Sequence, residues 1–185
     1  DFRIKITPDV TAPVITWIPD NNNDTVYVEV GRTFINPGDT VTDNVTNPTP
    51  YTRTGITSGT VITTYPSTDS YTITATDGTG NVAIRTRFVQ ATPDVTKPII
   101  SMIGSSPVTI EVGSAYNDSA ATASDFYFGS LTGSIVTVST VNINKIGTYT
   151  VTYDVMDAAG NAATTVVRTV IVKDIQKPVI TINGG

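Results

Sequence analysis

The sequence predicts an all-β chain built from tandem β-sandwich units, and three observations carry that prediction. The first is internal repetition. TPDVTAPVI at 7–15 returns as TPDVTKPII at 92–100, and a looser copy, KDIQKPVI, runs from 173 to 180. Asp9, Asp94 and Asp174 therefore recur 85 and 80 residues apart, the spacing of one small domain. The second is composition: 35 threonines, and 14 Asp against 2 Glu. Threonine and valine are stiff at the first side-chain torsion and fit a pleated surface, while aspartate is the carboxylate of turns. The third is alternation. Tyr149, Val151, Tyr153 and Val155 take every second position, as do Tyr71, Ile73 and Ala75, the period of half-buried strands.

Along the chain, residues 1–6 (DFRIKI) alternate like the closing strand of a preceding unit. Repeat 1 covers 7–91. Its opening strand puts Ile15 and Trp17 on one face, where repeat 2 has Ile100 and Met102 and the third copy has Ile180 and Ile182. Trp17 is thus expected in the core. The segment 27–44 pairs with 109–126, so that Glu29 meets Glu111, Gly31 meets Gly113, Phe34 meets Tyr116 and Asp43 meets Asp125. Residues 45–68 and 127–147 diverge, as loops and edge strands do on a shared scaffold. YTITATDGTGN (71–81) then matches YTVTYDVMDAAGN (149–161). The turn recurs as Asp77-x-x-Gly80-Asn81 and Asp157-x-x-Gly160-Asn161, with glycine supplying a positive φ. Repeat 2 covers 92–173, and 174–185 opens a third unit. Seven or so short strands per 80–85 residues predict sandwiches of immunoglobulin type, end to end.

The composition excludes several functions. Net charge is −5 with no basic run, so nucleic acid is not an expected partner. No apolar stretch reaches the roughly 18–20 residues that span a bilayer, and no signal peptide opens the sequence, so it reads as a mature protein or an excised piece. There is no His and no Cys. Disulfides, Ser-His-Asp and Cys-His catalysis and histidine-ligated metals are therefore unavailable. A carboxylate pair suits glycoside chemistry, but most acids here have turn explanations. The chain is not expected to be an enzyme.

DxxKPVITING at the third opening, VEVGxxY, and GTYTVTY followed by DAAGN resemble the bacterial immunoglobulin-like repeats of large cell-surface proteins, with hyalin and cadherin-like repeats as cousins. Repeat 2 follows the pattern along nearly its whole length; repeat 1 departs with TDSY where the pattern has GTYTV. The resemblance implies an extracellular, cell-surface setting. It also implies a structural role as stalk of an adhesin, S-layer-like coat, filament, phage structural protein or spacer in a secreted enzyme. Neighbouring repeats are the expected partners. Two alternatives are a module binding surface glycans or proteins, and a virion or filament subunit.

The acids support one sharper idea. In an immunoglobulin sandwich the B–C and F–G loops lie at the end where the chain comes in. Asp9, Asp43 and Asp77 are expected to gather at the head of repeat 1, and Asp94, Asp125 and Asp157 at the junction before repeat 2. Asn81 and Asn161 would add amide oxygens, with Glu29 and Glu111 near the edge. Calcium takes six to eight such oxygens, and bound there it would lock one unit to the next, as the cadherin-like cousins imply. The competing reading makes the aspartates backbone caps, with Pro13, Pro98 and Pro178 stiffening the linkers. Both readings stand at this stage. Lesser candidates are the N-x-S/T triplets at Asn23, Asn44 and Asn117, and a Phe126-Tyr127-Phe128 patch, expected to fold over the sandwich end. A Lys–Asn crosslink has few lysines to draw on: Lys5, Lys97, Lys145, Lys173 and Lys177.

Overall fold

The computed structural model describes residues 7–18, 24–45 and 48–181. The strand expected at 1–6, the Asn23 triplet and Ile182 lie outside the described residues. The chain divides into two compact units between Asp94 and Val95, and the described structure is strand, turn and one short 3-10 turn.

The first unit holds six strands: β1 (Val14–Trp17), β2 (Thr25–Glu29), β3 (Asp39–Thr42), β4 (Tyr51–Gly55), β5 (Thr68–Thr76) and β6 (Val82–Thr92). β1 and β3 pair antiparallel, and a second sheet runs β2-β6-β5-β4 with β2 parallel to β6. The alternation expected at 71–75 is observed, because Tyr71, Ile73 and Ala75 are buried and their neighbours are not. They pack against Ile15 and Trp17 of the facing sheet, which makes the unit a sandwich. Val28, Phe34, Ile62, Val89 and Ala91 fill the other end. Trp17 is 1% exposed, a core residue as expected.

The second unit holds seven strands: β7 (Ile99–Met102), β8 (Val108–Glu111), β9 (Ala121–Asp125), β10 (Gly129–Ser130), β11 (Val136–Ser139), β12 (Gly147–Asp154) and β13 (Val166–Lys173). Its sheets run β10-β9-β7 and β11-β12-β13-β8, again with one parallel pair, β8 with β13. Ile100, Ala121 and Ala123 meet Val151, Tyr153, Val155 and Val170 in one core. Residues 174–181, expected to open a third unit, form no strand. Among the described residues nothing supplies the strand that β3 and β9 supply to β1 and β7.

Gly55 ends β4 at φ +94°, and a Cβ there would lie 2.0 Å from Ser70 O. A left-handed backbone with a side chain costs about 1–2 kcal/mol before any clash. Gly55→Ala should therefore lower the stability of the first unit by about 2 kcal/mol or more, read as a urea midpoint. An unmoved midpoint would show that the strand end shifts freely.

Each sandwich also buries an arginine, which the sequence reading missed. Arg168 on β13 faces inward opposite Val151, as Arg87 on β6 does opposite Tyr71. In the second unit Arg168 pairs with Asp118 and donates to Ile103 O. Asp118 also accepts from Tyr116 Oη at 2.8 Å and from Tyr153 Oη at 2.7 Å. In the first unit the positions of Asp118, Tyr116 and Tyr153 hold Asn36, Phe34 and Ile73. Arg87 there donates to Asn36 Oδ1 at 3.3 Å and lies 4.3 Å over the Trp17 ring. Burial pulls the Arg87 guanidinium down. Against the same burial, the Tyr116 hydroxyl and the Asp118 charge carry Arg168 up.

Candidate metal centre

The turns that carry the key acids are near copies. Asp77 N donates to Asn81 O and Gly80 N to Asp77 O at 3.1 and 3.3 Å; Asp157, Gly160 and Asn161 repeat both bonds at the same lengths. Gly80 at φ +92° and Gly160 at φ +94° allow the reversal. The first turn joins β5 to β6 directly. The second joins β12 to β13 through a looser hairpin closed by a Met156–Ala162 bridge, with one extra residue between Asn161 and Arg168 relative to Asn81 and Arg87.

Side chains build the site on these turns. Asp77 Oδ1 accepts from Thr79 N at 2.8 Å and Asn81 N at 2.9 Å, and its Oδ2 accepts from Asn81 Nδ2 at 2.6 Å. Burial opposes ionisation of Asp77, but these donors outweigh it and hold the carboxyl at about 2. Asp157 accepts from Asn161 N at 2.8 Å and Asn161 Nδ2 at 2.9 Å. The same balance of burial against Asn161 donors keeps it below the ordinary carboxylate range. Both are anions at neutral pH.

Two aspartate triads form around them. Asp9, Asp43 and Asp77 each place one carboxylate oxygen within 4.8 Å of the others, and so do Asp94, Asp125 and Asp157. Asp94, Asp125 and Asp157 are buried, whereas Asp9 and Asp43 are half-buried beside buried Asp77. The incoming segment and two loops contribute one aspartate each to the first set. The capping role is present too. Asp9 Oδ1 accepts from Thr11 N at 3.0 Å, Asp43 Oδ2 from Val45 N at 2.9 Å, and Asp174 Oδ1 from Gln176 N at 3.1 Å. Asp125 Oδ1 accepts from Tyr127 N at 2.7 Å and Phe128 N at 3.0 Å.

Capping leaves oxygens over. Asp9 Oδ2 and Asp125 Oδ2 are buried without a hydrogen-bond partner, and a buried unpaired carboxylate oxygen is costly. Like charges this close also repel unless a cation or a proton intervenes. A hard cation with oxygen ligands fits both facts. The remaining candidates fall differently. Asn81 and Asn161 serve as donors that orient Asp77 and Asp157, because an amide beside a carboxylate turns its N–H2 toward the charge. Glu29 pairs with Arg32 at 3.4 Å, and Glu111 Oε2 accepts from Ile175 N at 2.7 Å. Asn44 Nδ2 bonds Asp9 Oδ1 and Thr11 Oγ1, each at 3.4 Å, and Asn117 is exposed. The aromatic run departs from its expectation. Tyr127 and Phe128 pack edge to face at 4.9 Å and are half-buried, but Phe126 stays 59% exposed.

Residues 100–172 match the family model described as bacterial surface protein, Ig-like domain. No curated protein matches the chain. Among solved structures, a lipoprotein of Bacteroides thetaiotaomicron is 23% identical over 44% of this chain and 40% of its own, with a TM-score of 0.39. A Clostridium perfringens ZmpB fragment, a carbohydrate-binding module in complex with GlcNAc and INT domains, is 28% identical over 42% of this chain and 17% of its own (TM-score 0.35). A protocadherin gamma-B4 extracellular domain is 12% identical over 92% of this chain and 34% of its own (TM-score 0.38). The chain thus spans less than half the length of each.

Proposed function

From the match of residues 100–172 to the bacterial surface Ig-like domain model, we propose that the chain is a structural spacer of an extracellular surface protein, stiffened by calcium at its aspartate triads. The observation that carries this reading is that two equivalent triads each present carboxylate oxygens within 4.8 Å of one another. A cation held by Asp9, Asp43 and Asp77 ties the incoming segment to two loops of the sandwich. Waters and backbone carbonyls would complete its six to eight oxygens. The prolines Pro13 and Pro98 add stiffness by fixing φ in the same segments. The role is mechanical: to project or tile a surface as part of an adhesin stalk or S-layer-like coat, with no catalysis.

The test is thermal unfolding of the whole chain with millimolar calcium and with chelator. Calcium at a hundredfold excess over Kd adds about 2.7 kcal/mol of stability, a rise of several degrees in Tm. Asp9→Asn and Asp125→Asn, combined, should remove that rise while leaving the calcium-free Tm unchanged or slightly higher, because asparagine keeps the backbone caps and relieves the repulsion between carboxylates. A wild-type Tm indifferent to calcium would leave caps and prolines as the only stiffeners.

One observation favours a second reading, a module binding glycan or protein. Phe126 presents an exposed ring directly after Asp125, and exposed aromatics suit sugar stacking. A glycan array probed with wild type and Phe126→Ala decides it; a hit lost in the variant supports the module, and silence removes it.

A further inference from the structure

Among the described residues, the second unit leaves a strand edge open at β11. Thr140 N donates to Thr150 O, one step beyond the register that sets Val136 against Asp154 and Ser139 against Val151. Antiparallel ladders bond alternate residues of a strand to one neighbour. Val136 and Val138 therefore bond inward to β12, and the N–H and C=O groups of Thr137 and Ser139 point away from the sheet. All four residues are exposed, with Val136 at 60% and Val138 at 54%. The two valines share the outer face with Asp154 and Thr152, their register partners, while Thr137 and Ser139 stand opposite the core residues Tyr153 and Val151.

Exposed edges are normally guarded by proline, charge or brevity. The edge of the first unit that corresponds to β11 is β4, and it is guarded. Pro48 and Pro50 precede it, and Arg53 at its centre bonds Asp39 and the Tyr51 hydroxyl. At the other edge of the second unit's sheet, Pro107 precedes β8 and Glu111 ends it. Across 134–141 the sequence is SIVTVSTV, with no charge, proline or glycine, and six of its eight residues are β-branched. That is the character of a segment that adds strands.

We propose that β11 is a self-association edge, pairing antiparallel with β11 of a second copy of this chain about a twofold axis through Val138. The edge is complementary to itself. About that axis Thr137 of one copy faces Ser139 of the other, so each outward N–H meets an outward C=O. Val138 meets Val138 on the outer face, Val136 meets Thr140, and the uncharged segment brings no like charges together. Such an isologous contact closes at two copies. This inference is independent of the calcium reading.

Sedimentation equilibrium of the whole chain, from micromolar to millimolar concentration, tests it. A monomer–dimer equilibrium is expected. Thr137→Pro should weaken it at least about tenfold, since proline there removes an outward donor and leaves the β11–β12 ladder intact. Val138→Lys, which sets two cations on the axis, should do the same without touching the backbone. Circular dichroism and Tm at low concentration check that both variants fold. A chain monomeric at millimolar concentration overturns the proposal, as does a dimer indifferent to both substitutions. A chain that stays monomeric but captures a free β-strand peptide of unrelated sequence, in a manner Thr137→Pro abolishes, would assign the edge to a foreign strand and overturn self-association too.

Discussion

Asp118→Ala should cost the second unit about 3 kcal/mol, the lower end of the range for orphaning a buried charge. Arg168 is 1% exposed at its side chain and Asp118 23%. Removing the carboxylate strands a guanidinium that cannot lose its proton at any ordinary pH. It also leaves the Tyr116 and Tyr153 hydroxyls without their acceptor. The partial exposure of Asp118 lets water soften the loss, hence the lower figure. Calorimetry of the whole chain reads the result, with the transition of the second unit moving down. An unmoved transition would mean that water reaches Arg168 freely.

The same cluster sets a pH dependence. Burial raises the Asp118 carboxyl, but the Tyr153 and Tyr116 hydroxyls, the Ala120 amide and the Arg168 charge more than offset that and hold it below its ordinary value. A group depressed in the folded state contributes stability above its unfolded pKa, about 3.9 for aspartate. That contribution fades as pH falls through the lower folded value. Burial and the adjacent Asp118 push Tyr153 up, so its contribution is complete below about pH 10 and is lost only above that. The second unit should thus hold its stability from pH 5 to 9 and weaken in acid, a profile that Asp118→Ala flattens in part while the depressed Asp157 keeps its own share.

The sandwiches were legible because strand alternation and repetition are one-dimensional signals. Ile15, Trp17, Tyr71 and Ile73 fall on their faces by parity alone. The aspartate triads were legible for a related reason, since the repeated positions of Asp9, Asp43 and Asp77 fix which loops share one end. The Asn81 and Asn161 roles were not, because an amide offers both donor and acceptor and only its neighbours decide between them. The buried arginines were overlooked although a signal existed. Arg168 sits at the inward parity of Val166, Val170 and Val172, and Arg87 at that of Val89 and Ala91. A charge recurring on the core face of equivalent strands asks for a buried partner. That partner, Asp118, comes from 50 residues away, and sequence spacing gives no hint of it.

The two units bury the same charge by different means, and Trp17→Ala tests the second of them. In the second unit a carboxylate compensates Arg168. In the first, Asn36 offers only an amide oxygen, and Arg87 instead lies 4.3 Å over the Trp17 ring, with Arg85 at 5.3 Å and Tyr71 packed at 6.0 Å. The indole is also tied down, its Nε1 donating to Asp24. Trp17→Ala removes the largest core side chain of the unit, and such truncations cost about 3–5 kcal/mol; loss of the desolvated cation–π contact places the expectation at the upper end. Cavity and charge are separable by a second substitution. Asn36→Asp sets a carboxylate beside Arg87, at the position that Asp118 occupies beside Arg168. It refills no volume, so any recovery it gives in the Trp17→Ala background is electrostatic. Recovery of about 1 kcal/mol is expected. With no recovery, Trp17 serves the first unit as volume alone, and the field of Asp24 and Asp39, which already favours the Arg87 charge, suffices to keep that arginine buried.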